Sequence, residues 1–316
     1  MTILNAFSGV STIFLLGLLG FILARRGYAG PEIMAALPRF LTLVALPPFL
    51  LRTVTTTVDR ELLLPLLAGT GIPFISMLTA FSLAVVLTWL LHTAPARKGM
   101  FRTGFATSNA MTIGLPINLA LFGETGLPYA LIYFFGNATF FWVVGCYSIA
   151  RSGQGTAVSF ISRETLKRVF SPPMIGFCLG LLLVYFDVRL PAFLDKTCKY
   201  VGDMVVALGT MYVGMMVSTI KREDIALDKD IVAVLAGRFL VSPLLIILLT
   251  NFFAVPPLMR NVFIIQASLP VMINAAIISA YYKTDIRYAT IVISFSTVLS
   301  IITIPLYMTL IVLFLY

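Results

Sequence analysis

Charge is what this sequence has least of. Of its 316 residues only 11% are Asp, Glu, Lys or Arg, against about 25% in a typical soluble domain. A chain so poor in charge cannot cover itself with a hydrated surface. Histidine is nearly absent, His92 being the sole one. It ends an apolar stretch beside Thr93, where an interfacial side chain is a better reading than a proton relay. The three cysteines, Cys146, Cys178 and Cys198, have no metal-ligand spacing and read as small core residues. No GxxxxGK[ST] loop, HExxH or GxSxG run occurs. These absences leave no nucleotide-driven pump and little from which to build an intramembrane protease or lipid-modifying enzyme, so no enzyme, metal or cofactor is expected.

Apolar sequence fills the space. The apolar share is 59% and the mean hydropathy +1.01, so lipid is the expected solvent. Uncharged stretches run 1–24, 62–91, 103–123, 125–150, 169–186, 239–259, 261–282 and 288–316. Most meet or approach the roughly 18 residues that mark a spanning helix. Two weaker segments, Glu32–Leu51 with Arg39 and Pro191–Ile220 with Asp195, Lys196, Lys199 and Asp203, bring the expectation to ten spans. The stretch Leu62–Leu91 is too short for two crossings of about 20 residues. It reads as one helix with a loop-like start, where Pro65, Gly69, Gly71 and Pro73 crowd together.

The net charge of +9 could suggest nucleic acid, but its placement points elsewhere. With ten spans, most basic residues fall on odd-numbered loops, among them Arg25, Arg97, Arg163, Lys221 and Lys283. Even-numbered loops hold only Arg52, Arg60, Arg189, Lys196, Lys199 and Arg260. Basic loops stay in the cytoplasm, so both termini are expected outside, in a multi-pass protein of the cytoplasmic membrane. No basic segment precedes the first apolar stretch, so a removed signal peptide is not expected.

The basic loop 151–168 divides the chain near its middle. Sliding the sequence by 159 residues brings Thr125, Tyr129, Ala130 and Ile132 onto Thr284, Tyr288, Ala289 and Ile291, and Gly17 onto Gly176. Five spans on each side of the loop give a second copy inverted in the membrane. The expected fold is therefore an all-α polytopic membrane protein of two inverted five-helix repeats, 1–150 and 169–316.

Spans 4 and 9 are the informative ones. Span 4 runs from Thr107 through Ser108, Asn109, Met111, Thr112 and Gly114 to Pro116. Span 9 runs from Gln266 through Ser268 and Pro270 to Asn274. Each sets a proline deep in apolar sequence beside small polar side chains. Proline removes a backbone donor and clashes with the preceding turn. The freed backbone groups are tolerated at membrane depth only where protein or a water-filled cavity satisfies them. Ordinary kinks and helix-gluing asparagines would explain one such segment. Two in corresponding spans point to a midplane site where the broken helices cross. Their N-termini would offer N–H groups to an anion, and Asn109 and Asn274 could donate to a carboxylate. The candidate substrate-binding set is Ser108, Asn109, Met111, Thr112, Gly114, Pro116, Asn137, Gln266, Ser268, Pro270 and Asn274.

Ionisable residues inside spans are functional candidates because burying them is costly. Asp203 is the best acid for proton coupling. Arg39 and Arg238 are expected to snorkel to an interface, and Glu124 and Asp285 to be solvated residues or caps. A sodium site built from carbonyls of the broken helices is equally open.

Ser108-Asn109, Gly114-Leu115-Pro116 and Phe122-Gly123 resemble the fourth helix of the auxin efflux carrier family. Leu269-Pro270 with Asn274, Tyr281, Asp285, Ser296-Thr297 and Pro305 resembles its ninth and tenth. Leu37-Pro38 with Val44-Ala45-Leu46-Pro47 resembles its second, and Arg238 with Ser242-Pro243 its eighth. The resemblance implies a fold like that of bile-acid/sodium symporters. Helices 1, 2, 6 and 7 would form a scaffold, and helices 3–5 and 8–10 an elevator-like transport domain. It also implies a homodimer and an anionic substrate, an auxin in plants and malate, malonate or similar carboxylates in bacterial members. Span 7 departs from the pattern, since Val205–Gly209 carries no proline where relatives often do. A sensor that binds the anion without moving it would share every site residue.

Overall fold

The computed structural model describes residues 15–61, 69–153, 172–218 and 228–314. The first fourteen residues, Pro65, nearly all of the central basic loop and Lys221–Arg222 lie outside these. Among the described residues the chain is helical, and its one extended pairing is an isolated antiparallel bridge between Ser108 and Val271.

The helices follow the apolar stretches. α1 (Leu15–Arg25) is followed by α2 (Pro31–Phe40), a π-helical segment Leu41–Ala45 and α3 (Leu46–Thr57). Span 2 therefore reaches beyond Leu51 as one continuous helix, with a π bulge immediately before Pro47 and Pro48, where the missing N–H groups interrupt the regular ladder. α4 (Gly71–Leu90) starts within the glycine-proline cluster, with Gly71 and Pro73 in its first turn, and residues 62–68, where the loop-like start was expected, lie outside the described residues. α5 (Pro95–Ala106) and α6 (Gly114–Phe122) are the two halves of span 4. α7 (Leu127–Phe140), a π segment Phe141–Gly145 and α8 (Cys146–Ser152) make up span 5. Then come α9 (Pro172–Tyr185) and α10 (Ala192–Ser218). α11 (Lys229–Ala236), the π segment Gly237–Val241 and α12 (Ser242–Phe252) form span 8. α13 (Pro257–Ala267) and α14 (Asn274–Tyr281) are the halves of span 9, and α15 (Ile286–Phe314) closes the chain.

Among the described residues, five helices are long and apolar enough to cross a membrane: Gly71–Leu90, Glu124–Ser152, Ala192–Ser218, Lys229–Phe252 and Ile286–Leu313. The halves of spans 4 and 9 fall short individually because they are broken. Large apolar side chains line the outer faces at helical spacing, as Leu240, Leu244 and Leu248 do on span 8 and Ile302, Leu306 and Leu310 on α15. Exposed aromatics gather at helix ends, including Trp89, Tyr185, Phe252 and Tyr281. Apolar flanks with aromatic ends describe a multi-pass membrane protein. Helix starts recur at nearly constant offset: Leu127 and Ile286 are 159 residues apart, and Gly114 and Asn274 are 160.

Two compact units emerge. The first takes the described parts of 1–70, 111–132 and 170–219, the second those of 71–110, 133–169 and 220–316. In the first, α3 packs on α9 and α10, and α6 packs on α10. Gly176 and Gly180, one turn apart on α9, permit the first contact. A Cβ on Gly176 would sit 2.4 Å from the Pro47 carbonyl oxygen, and one on Gly180 would sit 2.8 Å from Val54 Cβ. Small residues at that spacing are how helices approach closely in lipid. In the second unit, α4 packs on α5 and α12, α5 on α8, and α12 on α13.

Candidate functional site

The break in span 4 covers the residues from Thr107 to Ile113, and that in span 9 from Ser268 to Ile273. Pro116 does not cause its break. It lies beyond the break, in the first turn of α6, where proline is tolerated. Pro270 lies inside the other break, and its carbonyl accepts from the Asn109 backbone N–H at 2.8 Å.

Within the second unit the two extended segments meet side by side, and every partner there is buried. Asn137 of α7, fully buried, acts as a surrogate strand. Its Oδ1 accepts from the Ser108 N–H at 3.0 Å and its Nδ2 donates to the Ser108 carbonyl at 2.8 Å. Ser296 of α15 does the corresponding service on the other arm, its Oγ accepting from the Val271 N–H at 3.1 Å. Asn137 and Ser296 stand 159 residues apart, the offset at which the sequence halves align. Gln266 Nε2 donates to the Ala110 carbonyl across 3.4 Å, and Ser268 Oγ closes back onto Ile265 O at 2.9 Å.

Span 8 serves the carbonyl ends of both broken helices. Ser242 Oγ donates to the Phe105 carbonyl at the end of α5, at 3.1 Å. Arg238 Nη2 donates to the Ala267 carbonyl at the end of α13. Arg238 is fully buried, so it does not snorkel. It sits in the π segment, whose extra residue redirects side chains relative to a regular helix. Gly237 beside it has no Cβ, and one placed there would lie 2.1 Å from the Phe105 ring. The guanidinium lies beside the Tyr133 and Tyr307 side chains, and no carboxylate pairs with it among the described residues. Its Nε and Nη1 are buried without a partner, and so is Asn109 Nδ2.

Ser108, Asn109, Asn137, Gln266, Ser268 and Pro270 thus come together. Asn274, half-buried, opens α14. Met111, Thr112, Gly114 and Pro116 belong to the first unit. There Gly209 of α10 lies so close that a Cβ would sit 2.9 Å from the Thr112 carbonyl and 3.4 Å from Pro116 Cγ. Arg39 is exposed. Asp203 is also exposed and ion-paired with Lys199 at 2.7 Å. It lines a recess of the first unit with Arg52, Glu124 and the threonines 53, 56 and 57. Arg238, Tyr133, Ser242 and Ser296 are the participants that sequence reasoning left out of the site. A charge inside a span was the signal for the first, though its direction along the helix was not written there.

The rim of the second unit around Arg97 is polar in another way. Arg97 Nη1 meets Asp228 Oδ2 at 2.6 Å, and its Nε meets Asp285 Oδ2 at 2.7 Å. Its guanidinium also stacks 4.9 Å from the centre of the Tyr288 ring. Asp228 caps α11 through the Ile231 N–H, and Asp285 caps α15 through the Tyr288 N–H, both at 2.9 Å. Asp285 is therefore the cap its position suggested, with an ion pair added. Burial opposes its charge, but the Tyr288 N–H and the Arg97 guanidinium outweigh that and hold its carboxyl below the ordinary aspartate range. Among the described residues no cluster of His, Cys, Asp and Glu could hold a metal ion.

Helices that break and cross in the interior of a multi-pass apolar protein define a membrane transporter. A family model described as membrane transport protein matches residues 6–308. The chain belongs to that family, the one to which its auxin-efflux-carrier motifs point. It is 25% identical to an uncharacterized transporter of Methanocaldococcus jannaschii over 302 residues, 94% of this chain and 96% of the other. With an uncharacterized transporter of Methanothermobacter thermautotrophicus it shares 27% over 318 residues, 97% and 99% of the two chains. A candidate malonate transporter of Rhizobium meliloti is 25% identical over 293 residues, 90% and 89%. These matches speak for a transporter rather than an enzyme.

Proposed function

We propose that the chain is a secondary carrier of a small organic anion, a carboxylate of the malate or malonate kind or an auxin-like weak acid, across the cytoplasmic membrane. One observation carries this. At the crossing, Asn137 and Ser296 satisfy the backbone of Ser108 and Val271, while the Asn109 Nδ2 amide is buried with its hydrogens unused. An unmet buried donor costs about 1–3 kcal/mol. Such a cost is retained where a ligand supplies the acceptor. The name of the Rhizobium relative supports a dicarboxylate.

In this scheme ten spans form two inverted five-helix repeats with both termini outside. The matching roles of Asn137 and Ser296 support the repeat, since two copies of one motif would hold two breaks alike. Helices 1, 2, 6 and 7 act as scaffold, and helices 3–5 and 8–10 carry the crossing in an elevator-like movement, in a homodimer. Asp203 in the recess beside Lys199 is the acid assigned to proton coupling.

The test is ligand-induced thermal stabilisation of the purified protein by a panel of carboxylates and an indole-acetic acid-like ligand, followed by uptake into proteoliposomes. Stabilisation by a dicarboxylate with concentrative or exchange uptake is the expected result. Were no carboxylate to stabilise or enter, the substrate class would be wrong.

A further inference from the structure

A crossing of broken helices has two electrical ends. Within the second unit the N-terminus of α14 carries partial positive charge, and the carbonyl ends of α5 and α13 partial negative charge. An anion drawn by the first is repelled by the second unless a cation covers those carbonyls. A bound sodium ion could supply that charge, since exposed carbonyls at broken helices are its natural ligands. Here both carbonyl ends are already engaged by side chains of one span. Ser242 covers α5 through Phe105 O, and Arg238 covers α13 through Ala267 O. The second cover brings a full positive charge into a place with no solvent exposure.

A buried guanidinium without a carboxylate is expensive and is found where it works. Its described neighbours, Tyr133 and Tyr307, are neutral phenols, of which Tyr133 is within hydrogen-bonding reach of the guanidinium, and Nε and Nη1 are buried without a direct hydrogen bond. The unused N–H groups of Arg238 and the unused Nδ2 of Asn109 belong to the same buried cluster, joined through the bridged segments from Ser108 to Asn109 and from Ala267 to Val271.

Building on the anion-carrier reading, we propose that Arg238 is the carrier's resident cation. It covers the α13 carbonyl end that a coupling sodium ion would need, and its remaining N–H groups form the counter-charge for the transported carboxylate. The anion then binds without sodium. Arginine suits the task because its charge is permanent and its fork can hold a backbone carbonyl and a carboxylate at once.

The experiment measures malonate binding to wild type, Arg238→Lys and Arg238→Gln as choline salts, with and without added sodium chloride. Size-exclusion profiles report whether each variant is folded. Wild-type affinity is expected to be the same in sodium and in choline. Arg238→Gln is expected to bind at least about tenfold more weakly, the loss typical of a charge-assisted hydrogen bond. Sodium should restore part of that loss, and Arg238→Lys should fall between the two. A sodium requirement in wild type would overturn the proposal even if the glutamine variant failed to fold. So would a folded Arg238→Gln that binds malonate like wild type. Failure of wild type to bind any carboxylate in either salt would instead remove the anion-carrier reading and this proposal with it.

Discussion

The crossing and the Arg97 rim of the second unit are built from the same kinds of residue and obey opposite rules. At the rim, Arg97 meets two carboxylates and an aromatic face, and each carboxylate caps a helix as well. These groups are 27–41% exposed, so water shares the cost of their charge. At the crossing, Arg238 and Asn109 have almost no exposure, yet they keep donors without partners. The accessible charges are saturated and the buried ones are not. Stability alone would favour the reverse, because an unmet polar group costs most where water is excluded. The inversion separates a region that holds the fold from one kept ready for a ligand.

The largest expected effect falls on the surrogate strand. Asn137→Ala strips both partners from Ser108, leaving a buried N–H and a buried carbonyl unmet, at about 2–4 kcal/mol. Ser296→Ala strips only the Val271 N–H, so it should cost roughly half as much. Melting temperatures of the two variants in one detergent give the comparison. Equal, small losses would mean the crossing is held by packing, and the two-arm account would fail.

Asn109→Ala should do the opposite. Its Nδ2 makes no bond in the structure, while its backbone N–H, which holds Pro270, survives the substitution. Stability is expected to stay within about 0.5 kcal/mol, while dicarboxylate affinity falls roughly tenfold. Normal affinity in this variant would take Asn109 out of the site.

Much of this was legible in the sequence. Charge-free stretches located the helices, because lipid-exposed backbone must bond internally and leaves a long apolar record. Polar residues beside Pro116 and Pro270 located the breaks, and Ser108, Asn109, Asn137 and Gln266 proved to be among the residues that meet there. Three things were not legible. Pro116 marks the start of a half-helix rather than the break, since proline's fit to a first turn and its disruption of a helix interior look alike in sequence. The π segments leave no simple period. The direction of Arg238 depends on such a segment and on a glycine that admits the Phe105 ring, so a charge suited to snorkelling turns inward instead.

The rim offers a pH test of the contrast. The Asp285 carboxyl is held below its unfolded value near 3.9. Its contribution is thus fully present above that value and lost as pH falls through it toward the folded one. Asp285→Asn should cost about 1 kcal/mol or less at pH 7, because the pair is partly solvated, and nothing once wild type is protonated too. Melting curves of both proteins should therefore converge between about pH 5 and 3. A constant gap across that range would mean the loss comes from the cap geometry rather than from the charge.

Asp203 is the smallest perturbation and the sharpest control. It is 61% exposed and pairs with Lys199 one turn away, an arrangement that contributes about 0.3–0.5 kcal/mol at most. Asp203→Asn should leave the fold and the dicarboxylate affinity unchanged, so any effect on uptake reports on transport itself. The readout is uptake into proteoliposomes across a range of external pH, compared between wild type and variant. A profile flattened by the substitution assigns the coupling proton to Asp203, because an amide cannot carry it. An unchanged profile retires that role and leaves the recess with Arg52 and Glu124 as an approach to the carrier. It would also sharpen the contrast drawn above, since a functional charge would then be found only where it is buried and unpaired.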